Sequence, residues 1–238
     1  RYNFSTGTWT KVGNSFVSVD NRDMLFDGDG NLYVANDDIV YRNSGGAAWT
    51  QIGLQFDNNI YALEISPLTS VSEGRQYIWL YAAGDFTGRL ARANLSDAVP
   101  TFATFVSTGP VARVYDLEMT PAGVLYLGTN PFRYYREGDA ALSWPPDVPN
   151  GSVIRCKFDA RRNELYVTGD FSRVGDLTLT QNAARYFPSS QTWAPLQFSL
   201  NPGTNPFYLT TVHLGLDREY YGGPAPIPGV IPAPRPPL

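Results

Sequence analysis

The chain has 238 residues, 43% of them hydrophobic, 14% aromatic and 17% charged, with a formal net charge of −4. One cysteine, Cys156, and one histidine, His213, exclude a disulfide framework, a thiolate zinc site and a histidine-rich metal site, and the acidic balance speaks against nucleic acid as a partner. No apolar run reaches the length of a membrane-spanning helix, while the abundance of Tyr, Phe and Trp suits pleated sheets buried on both faces.

Taken in order, Arg1–Gly13 reads as a hairpin of two outer strands, and Val17–Phe26 as an inner strand ending in the turn Asp27-Gly28-Asp29-Gly30-Asn31. That turn resembles half of a calcium loop, but no Glu arrives at the twelfth position, so it reads as a hairpin turn. Asn31–Asp37 (NLYVAND) and Val40–Trp49 continue the pattern. A second group comprises Asn59–Ser66, a Ser-rich loop at Pro67–Arg75, and strands at Tyr77–Ala83, Arg89–Leu95 and Thr101–Val106. A third opens at Val111–Thr120, turns at Pro121-Ala122-Gly123, continues through VLYLGTNPF at Val124–Phe132 and ends in the rigid Trp144–Pro149. The fourth is the clearest: Val153–Phe158, Glu164–Thr168, Ala183–Phe187 and a short run after Trp193, each bounded by turn formers. Phe207–Gly223 reads as two more inner strands.

Tyr33, Tyr81, Tyr126, Tyr166 and Tyr220 mark the second strand of each group, at spacings of 48, 45, 40 and 54 residues. A β pattern at that period predicts a propeller. Arg1–Trp9 (RYNFSTGTW) matches Arg185–Trp193 (RYFPSSQTW) in length, in its leading Arg-Tyr and in its closing Thr-Trp. The expected architecture is therefore all-β: a five-bladed β-propeller over residues 1–223, closed by N- and C-terminal strands in one composite blade, with a proline-rich extended tail at 224–238. The alternative is an open fragment of a longer protein.

The signature Gly-Asp-Phe-(Ser/Thr) at Gly84–Thr87 and Gly169–Ser172, with Asn182–Tyr186 and Trp193, resembles the kelch-like repeat "GGxFT…NxARY…W…LG" of secreted, cell-surface and virion propellers. Arg1-Tyr2 and Trp9–Gly13 match its second half, whereas Asn130-Pro131-Phe132 and Tyr221-Gly222-Gly223 depart from it. The resemblance implies a scaffold for binding or assembly on an extracellular or virion surface, and no particular ligand.

Aligned on Asp27, Ser66, Thr120, Asp159 and Asp217, the inner strands give two columns. Met24 and Phe26, Leu63 and Ile65, Leu117 and Met119, Cys156 and Phe158, and Leu214 and Leu216 form an apolar column expected in the core. Cys156 is thus expected as a small buried hydrophobe. Asp23 and Leu25, Ala62 and Glu64, Asp116 and Glu118, Arg155 and Lys157, and His213 and Gly215 form a mostly polar or charged column facing the channel. Asp23, Glu64 and Glu118 are the set a glycosidase needs, one as acid and one as base or nucleophile. The competing expectation, and the one preferred, is a ring of ion pairs in which Asp116, Glu118 and Glu64 are balanced by Arg155, Lys157 and His213.

Pro224–Leu238 has seven prolines in fifteen residues and reads as extended polyproline II. Its Ile227, Val230, Ile231 and Leu238 are expected to dock on a neighbouring subunit or on the chain's own blades. The sequons at Asn3, Asn94 and Asn150 carry little weight in a chain this rich in Asn and Ser. The functional expectation is a non-catalytic assembly or adhesion module without cofactor, whose partners are protein subunits, with surface glycans as a second class. A propeller lectin and a five-bladed glycosidase are the alternatives.

Overall fold

A computed structural model describes residues 2–3, 5–14, 20–66, 70–72, 75–109, 113–178, 182–196, 211–214 and 219–222, with the backbone alone at 2–3, 70–72, 75–77, 211–214 and 219–222. The described elements are all strands: β1 (Tyr2–Asn3), β2 (Thr8–Trp9), β3 (Asn21–Phe26), β4 (Leu32–Asn36), β5 (Ile39–Asn43), β6 (Thr50–Ile52), β7 (Ile60–Ile65), β8 (Ser70–Ser72), β9 (Arg75–Tyr77), β10 (Trp79–Gly84) and β11 (Leu90–Asn94), then β12 (Asp116–Met119), β13 (Val124–Gly128), β14 (Arg133–Arg136), β15 (Ser152–Asp159), β16 (Glu164–Asp170), β17 (Arg173–Val174), β18 (Leu177–Thr178), β19 (Ala183–Phe187), β20 (Thr192–Pro195), β21 (Thr211–Leu214) and β22 (Glu219–Gly222).

They pair as antiparallel meanders. The first sheet is β3-β4-β5-β6, the second β7-β10-β11, the third β12-β13-β14 and the fourth β15-β16-β19-β20. The innermost strands lie side by side in chain order, β3 against β7, β7 against β12, β12 against β15 and β15 against β21. Three apolar cores fill the spaces between consecutive sheets. Tyr33 and Ala35 meet Leu63 and Leu80, Tyr81 and Ala83 meet Leu117 and Leu127, and Tyr126 and Tyr134 meet Cys156 and Val167. This is a propeller-like arrangement of sheets. The pairs β1-β2 and β21-β22 are each a separate two-stranded hairpin, and no ladder joins them among the described residues.

The hairpin turns follow from the anchors of the sequence alignment. Asp27 accepts the amides of Asp29 and Asn31 at 3.0 and 2.8 Å, Thr120 Oγ1 accepts that of Val124 at 3.1 Å, and Asp159 that of Arg161 at 2.9 Å. The DGDGN segment thus spends its first carboxylate on its own turn.

Three expectations need correction. Thr101–Val106 is not a strand; one bridge, Arg92 to Ala103, stands in its place. Phe102 and Phe105 are three apart, so one face of a strand cannot bury both, and the segment bends to put Phe102 against Phe56 (5.2 Å) and Phe105 between Tyr81 and Tyr135 (5.7 and 5.0 Å). Pro67–Arg75 is not merely a loop, since it contributes to the ribbon β8-β9. The apolar column is core only in part. Leu63, Leu117 and Cys156 are each 4% exposed, whereas Met24 is 66% and Phe26 62% exposed. This column faces the preceding sheet, and β3 belongs to the first. The side chains of His213 and Leu214, and Leu216, Ile227, Val230, Ile231 and Leu238, lie outside the described residues.

Candidate functional site

The polar column occupies the inner edge strands, and edge strands leave every second backbone N–H without a ladder partner. Here carboxylates from the preceding sheet take those amides. Leu63 N–H donates to Asp23 Oδ2 at 2.7 Å, and Met119 N–H to Glu64 Oε2 at 3.2 Å. Cys156 N–H donates to Asp116 Oδ2 at 2.7 Å, and Phe158 N–H to Glu118 Oε1 at 2.8 Å. The register repeats. An acid four residues before the alignment anchor takes the amide three before the next anchor, and an acid two before takes the amide one before.

Two ion pairs lie in this set. Lys157 Nζ lies 2.8 Å from Glu118 Oε2, and Arg155 Nη1 lies 3.9 Å from Asp116 Oδ1 while donating to Tyr115 O at 3.0 Å. Glu64 instead turns its second oxygen to its own sheet, accepting the Ile65 amide at 2.8 Å.

Electrostatics follow the burial. Desolvation, reinforced by the neighbouring Glu118 charge, pushes the Glu64 carboxyl up to about 7. Desolvation likewise takes Asp116 to about 7 against the pull of Arg155 and the Cys156 amide. Asp23 and Glu118 are raised by burial too, with backbone amides and Lys157 opposing. Burial works against the Lys157 ammonium, yet Glu118, Glu64 and Asp116 together hold its pKa above the usual lysine value. The Cys156 thiol, buried beside Asp116 and Glu118, is pushed well up, as suits an inert core position.

One end of the inner strands carries a cation–aromatic rim that sequence reading did not single out. Arg22 lies over the Tyr61 ring at 4.7 Å, and Arg113 lies 5.3 Å from Tyr61 and 5.6 Å from Tyr115. Asp85 accepts the Tyr61 hydroxyl at 3.0 Å and faces Arg113 at 3.7 Å. Elsewhere Arg92 is held between Trp79 and Phe105 (3.8 and 4.4 Å) while both of its Glu137 contacts are 2.8 Å. Each residue is visible in the sequence, but the partners come from different sheets at spacings no local motif records.

No family profile matches the chain, and no curated protein does. Among solved structures, the extracellular domain of BT4673 from B. thetaiotaomicron, a hybrid two-component system by name, superposes with a TM-score of 0.60 at 14% identity, covering 90% of this chain and 26% of that one. XC5397 from Xanthomonas campestris, a gluconolactonase, gives 0.54 at 16% identity, covering 71% of this chain and 61% of that one. The likeness is one of fold. This fold therefore occurs both in an extracellular domain and in an enzyme, and the chain spans less than two thirds of either relative's length.

Proposed function

We propose that the chain is a non-catalytic assembly or adhesion module of an extracellular or virion surface, a five-bladed kelch-like ring in which the channel carboxylates are structural. The observation that carries this reading is the repeated tie. Asp23, Glu64, Asp116 and Glu118 each spend an oxygen on the backbone of the next inner strand, in one register.

Ring closure is supported by the first hairpin. β1-β2 pairs Tyr2 with Trp9 and Asn3 with Thr8, and β19-β20 pairs Tyr186 with Trp193 and Phe187 with Thr192. Gly7 and Gln191 hold the same turn position at φ 65 and 56. Thr6 and Thr8 hydroxyls meet at 2.7 Å, as do those of Ser190 and Thr192. Two segments 184 residues apart in the sequence thus share one turn, which suits β1-β2 as the outer half of a blade whose inner half is β21-β22. By the fourth sheet's register, Leu165 to Tyr186, Glu219 then faces Tyr2. A Tyr2→Cys, Glu219→Cys double variant should form an intramolecular disulfide; two free thiols under oxidising conditions count against closure.

For the function, deletion of residues 224–238 should abolish assembly by light scattering and leave the monomer melting temperature unchanged. A protein that is monomeric with or without the tail overturns the assembly reading. The glycosidase reading draws on Glu64 and Asp116 titrating near 7, where acid–base catalysis at neutral pH operates. Hydrolysis of chromogenic glycosides that is lost in Glu64→Gln would establish it instead.

A further inference from the structure

Arg133 is an anomaly of the third sheet. It pairs with Leu127 on β13, and the matching cross-strand pairs in the fourth and second sheets are Val167 with Ala184 and Ala82 with Ala91. Ala184 and Ala91 are buried at 0% and 2% exposure. The second and fourth sheets therefore fill this position with a methyl group and the first with Tyr41, and only the third places a guanidinium there.

Arg133 as a residue is 8% exposed, and no carboxylate pairs with its guanidinium among the described residues. Its Nη1 donates to the carbonyl of Thr108, its Nε is buried without a hydrogen-bond partner, and Trp144, itself 57% exposed, lies 5.3 Å from it. Burial alone holds its pKa below the usual arginine value, with no anion opposing. An uncompensated buried charge is costly, and a ligand anion is the partner that removes the cost.

An approach exists. Thr108 and Gly109 line an open cavity of about 780 Å³ together with Thr87, Arg89, Thr104 and Ser107. A Cβ on Gly109 would stand 3.3 Å from Arg133 Nη1 and 3.7 Å from Nη2, so the guanidinium lies directly behind this residue of the cavity wall. The lining is hydroxyl-rich, and the volume is that of a small-ligand site.

We propose that Arg133, reached over Gly109, anchors the carboxylate of an acidic saccharide whose hydroxyls meet Thr87, Thr104 and Ser107. Among the described residues the site occurs once, unlike a lectin site repeated in every blade, and it is independent of ring closure and of the tail.

The test is tryptophan emission titrated with sodium glucuronate at low salt, with glucose and acetate as controls. Saturable quenching by glucuronate, and none by either control at tenfold higher concentration, is the expected result. Equal binding of acetate reduces the site to a simple anion hole, equal binding of glucose shows that the acid is not read, and no response to glucuronate removes the site; each overturns the proposal. Arg133→Met should weaken glucuronate at least tenfold while the ligand-free melting temperature holds or rises. A lower melting temperature with unchanged binding makes Arg133 a structural residue. Should that variant fail to fold, Thr104→Phe, at an exposed position on the cavity wall, blocks the cavity without touching Arg133 and must also abolish binding.

Discussion

Glu64 and Asp116 make the stability of this protein depend on pH in an unusual direction. Both titrate near 7 in the folded chain and near the ordinary carboxyl range when unfolded, so the folded state binds more protons in between. Their contribution is fully present below about pH 4, declines as pH rises towards 7 and is flat above. The depressed carboxyls, Asp27, Asp57 and Asp159, act in the opposite sense but below that window. Melting temperature should therefore fall between pH 5 and 8, by the equivalent of roughly 5 kcal/mol for the two groups together, and Glu64→Gln should recover part of the loss at pH 8. A profile that rises across that range contradicts the assignment. Glu118→Ala strips both Phe158 N–H and Lys157 of a partner and should cost about 2–3 kcal/mol by urea denaturation; Glu118→Gln should cost less. The acids themselves were legible as a column in the sequence. Their chief partners were not, because a backbone amide looks the same at every residue.

At the scale of the strand, the glycine of the Gly-Asp-Phe signature has a steric cause. A Cβ on Gly84 would fall 2.0 Å from Asn59 O, and one on Gly169 would fall 2.0 Å from Ser152 O. Both sit where the ladder to the inner strand changes register, and the inner backbone there crowds the second strand. Gly169→Ala should cost on the order of 3 kcal/mol, whereas Gly46→Ala, with nothing within 4 Å, should change stability by less than about 1 kcal/mol. Urea midpoints of the two variants measure the contrast. The phenylalanine of the signature is buried wherever it recurs, at 1% for Phe86 and 3% for Phe171, and Phe132 at 0% is equally buried although Asn130-Pro131 breaks the motif. The fourth sheet was readable almost to the residue because its apolar positions alternate cleanly. Thr101–Val106 was misread because its two aromatic rings follow a spacing of three, which no flat strand satisfies.

For the whole molecule, period and hairpin matching made the succession of sheets legible, but not how the last meets the first. That junction involves a face, Met24 and Phe26, which nothing covers among the described residues. If the fifth blade lies there as proposed, Met24→Glu should cost about 2 kcal/mol or more; a change within about 0.5 kcal/mol leaves the face in water. The ties between inner strands carry one more consequence, since all of them run the same way round. The carboxylate precedes the amide it holds by 40 residues in three cases and by 55 in the fourth. A ribosome adding about 5–20 residues per second therefore releases each acid seconds before its amide exists. Every emerging sheet meets an acceptor already in place on the sheet before it, and the molecule is laid down vectorially, each finished edge a template for the next. Nascent chains stalled at successive lengths should gain protease resistance in steps, one each time an inner strand clears the exit tunnel.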